Sequence, residues 1–119
     1  MLYPEIEGIL NLLSTCTKLE IKRFILISCC SNVVAGKFRR VYNESHWANP
    51  DVCDMYERAK FFVEKSAWNY LENKKDSLKL TVFLPGMFLG PLKNKNKENF
   101  HSKFFKKVLN RKMDNVLCL

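Results

Sequence analysis

Arg23-Phe-Ile-Leu-Ile-Ser28 and Leu78-Lys-Leu-Thr-Val-Phe-Leu84 decide the fold. Each is a short apolar run with β-branched residues, and the second is closed by Pro85-Gly86. Such runs suit strands of a parallel sheet covered on both faces. The segments around them have helical period. Pro4 fits a first helical turn, where it leaves no N–H unpaired. Ile6, Ile9/Leu10, Leu13 and Cys16/Thr17 recur behind it, so a helix is expected over about 4–19. A long connection from Cys29 to about Pro50 contains Gly36 and the polar cluster Asn43-Glu44-Ser45. A second helix is expected over about 51–73. Leu89-Gly90-Pro91 ends this part, 93–98 reads as a solvated loop, and Phe100, Phe104, Val108 and Leu109 mark a last amphipathic helix.

The order helix, strand, helix, strand, helix implies an α/β protein with a parallel sheet built from crossovers. Two strands alone cannot bury helices on both faces and leave both edges open. The chain therefore reads as a piece of a larger domain.

The 119 residues carry 47% hydrophobic and 27% charged side chains, an ordinary globular composition. No apolar run reaches the ~18 residues of a membrane span, and no basic region precedes an apolar core at the start. No membrane partner is expected. Cys16, Cys29, Cys30, Cys53 and Cys118 show no metal-ligand spacing, and with only His46 and His101 beside them no metal site is expected. An odd count with two adjacent thiols in an apolar segment fits reduced cysteines, hence a cytoplasmic location. The formal charge of +8 is concentrated late: between Lys93 and Lys112 eight Lys/Arg face the single acid Glu98. A solvated helix face explains this first. Nucleic acid ranks last, because the phenylalanines that would stack bases have the spacing of a buried stripe.

One spacing carries chemistry. In Asp54-Met-Tyr-Glu-Arg-Ala-Lys60 a tyrosine and a lysine stand four apart, one turn of helix on one face. A cation beside a phenol favours the ionised ring and fits it to exchange a proton with a carbonyl or alcohol oxygen. The lysine can also hold a ribose hydroxyl. The pair alone is weak, since two common residues meet at that spacing by chance.

Further stretches accompany it: Pro4-Glu-Ile-Glu-Gly8, Ile21–Ser28, Tyr42-Asn-Glu-Ser-His-Trp47, Glu64-Lys-Ser-Ala-Trp68, Leu80-Thr-Val-Phe-Leu-Pro-Gly86 and Leu89-Gly-Pro91. In this order the chain resembles the extended short-chain dehydrogenase/reductases of the NAD-dependent epimerase/dehydratase type, most closely the dihydroflavonol reductase and cinnamoyl-CoA reductase group. The resemblance runs from about Pro4 to Pro91. It implies part of a doubly wound Rossmann-like sheet, with residues 1–92 as the C-terminal half of an NAD(P)-binding domain. Residues 93–119 would then be a basic loop and helix leading toward a substrate domain. It further implies NADP or NAD as cofactor and reversible reduction of a small-molecule carbonyl to an alcohol. Tyr56 would be the general acid/base and Lys60 the ribose-binding partner, with Pro85 and Gly86 bordering the nicotinamide. A 3β-hydroxysteroid dehydrogenase or nucleotide-sugar epimerase/dehydratase relative shares the same pair, and a non-catalytic remnant or interaction fragment is the rival outside enzymes.

The chain departs from the family pattern twice. The glycine-rich phosphate loop is absent, so the N-terminal nucleotide-binding half would have to come from elsewhere as a partner. The family serine at the strand end is matched by Cys29, whose thiol donates weakly. Ser28 takes that place only if the strand end slips by one residue, and Ser31 is a further candidate. Trp47 and Trp68 are read as packing anchors.

Overall fold

The computed structural model describes residues 2–36, 41–73, 78–88 and 100–110. In chain order they form α1 (Leu2–Lys18), β1 (Arg23–Ile27), α2 (Ser31–Val34), α3 (Met55–Glu72), β2 (Lys79–Phe83) and α4 (Phe100–Leu109). The chain divides into two compact units, Met1–Gly86 and Met87–Leu119. Leu89-Gly90-Pro91 and the loop expected over 93–98 lie outside the described residues.

In the first unit β1 and β2 pair in parallel, in a register running from Arg23 opposite Lys79 to Ile27 opposite Phe83. The pairing continues past the strands, with Ser28 N–H donating to the Phe83 carbonyl and Cys30 N–H to that of Pro85. Within this chain one face of the sheet is covered. Burial alternates along both strands, and Phe24, Leu26 and Leu80 pack with α1 and α3 around Ile9, Leu13, Ala67 and Leu78. The opposite face is open, with Ile25 61% and Ile27 64% exposed. The cause is geometric. Successive side chains alternate across a strand, and both helices that pack here lie on one face.

Helix α1 begins two residues earlier than its pattern suggests, and Pro4 sits in its first turn. It ends in a Schellman arrangement, with Ile21 N–H bonded to the Cys16 carbonyl and Glu20 N–H to that of Thr17. Glu20 takes the left-handed conformation, φ 53°, that glycine usually supplies.

Helix α3 starts at Met55, four residues later than expected. Asp54 and Glu57 form a capping box: the Asp54 carboxylate accepts from Glu57 N–H at 2.8 Å, and the Glu57 carboxylate accepts from Asp54 N–H at 3.0 Å. Asp51 belongs to the preceding turn, where its N–H meets Asn49 Oδ1 and the Arg58 guanidinium donates to the Pro50 carbonyl. The connection after β1 is not all loop, since Ser31–Val34 forms the short α2. Gly36, at φ 70°, turns the chain out of α2 where a Cβ would collide with Val52. Ala35, Ala48, Cys53 and Phe61 make a second core. Trp47 stands edge-on to Phe61 at 5.5 Å and beneath the Lys65 ammonium at 4.7 Å, as a packing anchor does.

In the second unit α4 carries Lys106 and Lys107 in its last turn, where they complement the helix dipole. Phe104 and Phe105 meet edge to face at 5.8 Å.

One-sided burial has a direct consequence. Leu13 is 0% exposed, so Leu13→Ala is expected to cost about 2–5 kcal/mol by urea unfolding. Ile25→Thr on the open face should cost less than about 0.5 kcal/mol. Equal losses would mean that both sheet faces are covered.

Candidate active site

The site is assembled where the two strands end. Past β1 the backbone turns through Cys29 and Cys30 into α2, and past β2 it runs through Leu84, Pro85 and Gly86. The bond from Cys30 N–H to the Pro85 carbonyl, 3.2 Å, holds these two tails side by side. A Cβ built on Gly86 would stand 3.9 Å from Cys30 Sγ, ordinary contact, so the neighbouring thiol does not demand a glycine there. An open cavity of about 340 Å³ lies beside them, bounded by Cys30, Val33, Val34, Tyr42 and Leu84 with the polar Asn43 and Glu44 at its border. In an α/β sheet the crevice beyond the carboxyl ends of the strands is where ligands bind. Burial pushes the Cys30 thiol above its ordinary range, and the adjacent Cys29 pushes the same way.

Helix α3 crosses between the two strands. Tyr56, Lys60 and Glu64 form a stripe at four-residue steps, and exposure falls along it from 54% at Tyr56 to 4% at Glu64. The Lys60 ammonium lies 5.4 Å from the centre of the Tyr56 ring. It also stands 3.5 Å from Glu5 Oε2 on α1, an ion pair without hydrogen-bond geometry. Among the described residues the Tyr56 hydroxyl has no hydrogen-bond partner.

Ser28 faces the helices. Its hydroxyl donates to Glu64 Oε2 at 2.6 Å and accepts from Asn32 Nδ2 at 2.9 Å. Asn32 is 1% exposed, and its Nδ2 also reaches Glu64 Oε2 at 2.6 Å and the Lys60 carbonyl at 3.2 Å. The amide is turned so that its donor end meets three acceptors while Oδ1 lacks a partner. The opposite orientation would point Oδ1 at a carboxylate. Glu64 and Asn32 were not singled out from the sequence. The available signal was spacing: Asn32 follows Ser28 by four, and Glu64 follows Lys60 by four.

The residues present suit one end of a nicotinamide dinucleotide. Tyr56 and Lys60 offer a phenol and an ammonium that a ribose and a reacting oxygen can use. No run among Gly8, Gly36, Gly86 and Gly90 has the spacing of a phosphate-cradling loop. Among the described residues no group of three His, Cys, Asp or Glu side chains is placed to hold a metal ion, and no helix is long and apolar enough to cross a membrane.

Comparison with known proteins gives the family and the fold. The family model described as the NAD dependent epimerase/dehydratase family matches residues 1–118. A dihydroflavonol 4-reductase of Gerbera hybrida is 28% identical over 97 residues, covering 74% of this chain and 26% of that protein. A tetraketide alpha-pyrone reductase of Arabidopsis thaliana is 32% identical over 99 residues, 76% of this chain and 30% of the relative. A cinnamoyl-CoA reductase of Medicago truncatula is 31% identical over 98 residues, 75% and 29%. The chain thus spans between a quarter and a third of the length of these relatives. A solved reductase engineered against substrate inhibition in asymmetric catalysis superposes with a TM-score of 0.72 at 22% identity, covering 92% of this chain and 38% of that one, which shows a shared Rossmann-like fold.

The Lys60–Glu5 pair has side chains about one-third exposed, where ion pairs contribute little. Glu5→Gln is therefore expected to change stability by less than about 1 kcal/mol in urea. A loss above about 2 kcal/mol would mean that the pair holds α1 onto α3.

Proposed function

The chain belongs to the NAD dependent epimerase/dehydratase family, and from that premise we propose that it carries the proton-transfer half of an NAD(P)H-dependent carbonyl reductase site. Residues 1–92 are the C-terminal half of a Rossmann-like domain in this reading, and 93–119 lead toward a substrate domain. The observation that carries it is the stripe on α3: a phenol one turn from an ammonium, on the helix that crosses between two parallel strands. The phosphate cradle for the dinucleotide has to be supplied by chain outside these residues.

The nicotinamide supplies a hydride when bound. Everything else falls to side chains of this chain. Tyr56 gives its phenolic proton to the substrate oxygen as the carbonyl becomes an alcohol, and takes it back in the reverse direction. Lys60 lies beside the ring and holds a ribose hydroxyl. To do so it must leave Glu5, which its modest ion pair permits. Pro85 and Gly86 border the nicotinamide. Val33, Val34 and Leu84 give the open cavity an apolar wall for the substrate to pack against.

Cys29 holds the family serine position in this reading. Support comes from Ser28, whose hydroxyl is already engaged by Glu64 and Asn32. A thiol donates weakly to an oxygen, so one of two donors is effectively lost. The substrate class in this reading is a ketone or aldehyde, reduced to an alcohol. The Lys60–Glu5 pair and the exposed Tyr56 ring equally suit a chain that has kept the framework without the activity.

The test is a hybrid in which residues 4–91 replace the matching segment of the Gerbera hybrida reductase. NADPH-dependent dihydroflavonol reduction is expected from it, with Tyr56→Phe losing about 10²–10⁴-fold in kcat. Cys29→Ser should raise kcat by about 10²-fold. A hybrid that folds and binds NADPH without turnover, or one indifferent to Tyr56→Phe, would overturn the reading.

A further inference from the structure

We propose that Glu64 is a positioning residue, which fixes the Cys29–Cys30 strand end against the helix turn that bears Tyr56 and Lys60. The proposal rests on the reading of those two side chains as the reacting pair. Its geometric basis is separate. Glu64 is 4% exposed in a helix whose other acids, Glu57 and Glu72, are not buried. A carboxylate withdrawn from water is costly unless strong donors replace the water. Here two donors converge on one oxygen at 2.6 Å, and they come from two different elements. Ser28 lies one residue past β1 and Asn32 lies in α2.

Asn32 closes the connection. Its Nδ2 reaches the Lys60 carbonyl at 3.2 Å, so α2 is bonded to the turn from which Lys60 projects. The Asn32 carbonyl also accepts from Ala48 N–H at 2.7 Å, which draws in the segment carrying Trp47. One carboxylate therefore ties the strand end and α2 to α3. Cys29 and Cys30 lie between its two anchors, Ser28 and Asn32, so their approach to α3 is set on both sides. A helix that served only to cover the sheet would be better served by leucine at this position, since burying polar networks gains little net stability. What the network supplies is fixed spacing between groups on different elements.

Alkylation of the 119-residue chain with iodoacetamide, followed thiol by thiol by peptide mass spectrometry, tests this without cofactor or turnover. Its failure is therefore distinguishable from failure of the reductase reading. Removing the acceptor takes from the half-buried Ser28 hydroxyl its carboxylate partner and from Asn32 Nδ2 one of three, and should loosen the strand end alone. Glu64→Leu and Asn32→Leu are expected to speed alkylation of Cys29 and Cys30 about tenfold. Cys16 in α1 and Cys53 in the second core should stay within about twofold. Glu64→Gln keeps an acceptor oxygen and should fall between wild type and Glu64→Leu. The pH midpoint for Cys30, raised by burial in the wild type, should drop toward the ordinary thiol range in Glu64→Leu. Ser28→Ala deletes one donor without adding bulk, and serves if the leucine variants do not fold. Equal acceleration of Cys16, Cys29, Cys30 and Cys53, or no change at Cys29 and Cys30, would overturn the proposal.

Discussion

Parallel pairing of β1 with β2 is the constraint on which the rest of the first unit depends. Two parallel strands cannot be joined by a tight turn, so the chain must cross over the sheet, and α3 is that crossing. Parallel direction also brings both strand ends to one edge. There Ser28 and Cys30 continue the pairing with Phe83 and Pro85, and the two tails diverge around an open cavity. The same crossing carries Tyr56, Lys60 and Glu64 on one helix stripe. In α/β sheets this edge is where ligands bind.

Polar and apolar groups divide the work between them. Leu13 and Ala67, both fully buried, hold α1 and α3 onto the sheet through non-directional packing. That packing sets distance between layers but leaves the strand end free to shift along the helix. Glu64 removes this freedom, because hydrogen bonds of 2.6 Å fix direction as well as distance. Lys60 stands at the junction: its backbone belongs to the buried network while its ammonium is held loosely by Glu5. A rigid backbone beneath a releasable side chain is what a residue needs if it is to exchange one anion for a ligand.

Much of this was legible in the sequence. The two strands, the parallel class and three of the helices follow from apolar period, and the resemblance carried by Tyr56, Lys60 and the flanking stretches agrees with the family match over residues 1–118. The misreadings have physical causes. Asp51 and Asp54 are equally good cap residues, and only the reciprocal bond with Glu57 decides between them. Ile25 and Ile27 are as apolar as Phe24 and Leu26, so composition could not show that one face of the strand is open. The four-residue α2 is too short for a period to register. Glu64 was hidden by its neighbours, because an acid beside Lys65 on a charged helix looks like a solvated residue until burial is known.

Tyr56 and Lys60 are proposed to work on a nicotinamide at the strand ends. The most direct measurement is a crystal structure of the hybrid bearing residues 4–91 with NADP⁺ bound. The account requires the Tyr56 hydroxyl to lie within roughly 3–4 Å of the reacting face, near the nicotinamide ring. It also requires the Lys60 ammonium to have exchanged Glu5 for a ribose hydroxyl. Tyr56 pointing into solvent, with Lys60 still paired to Glu5 beside a bound cofactor, would contradict it.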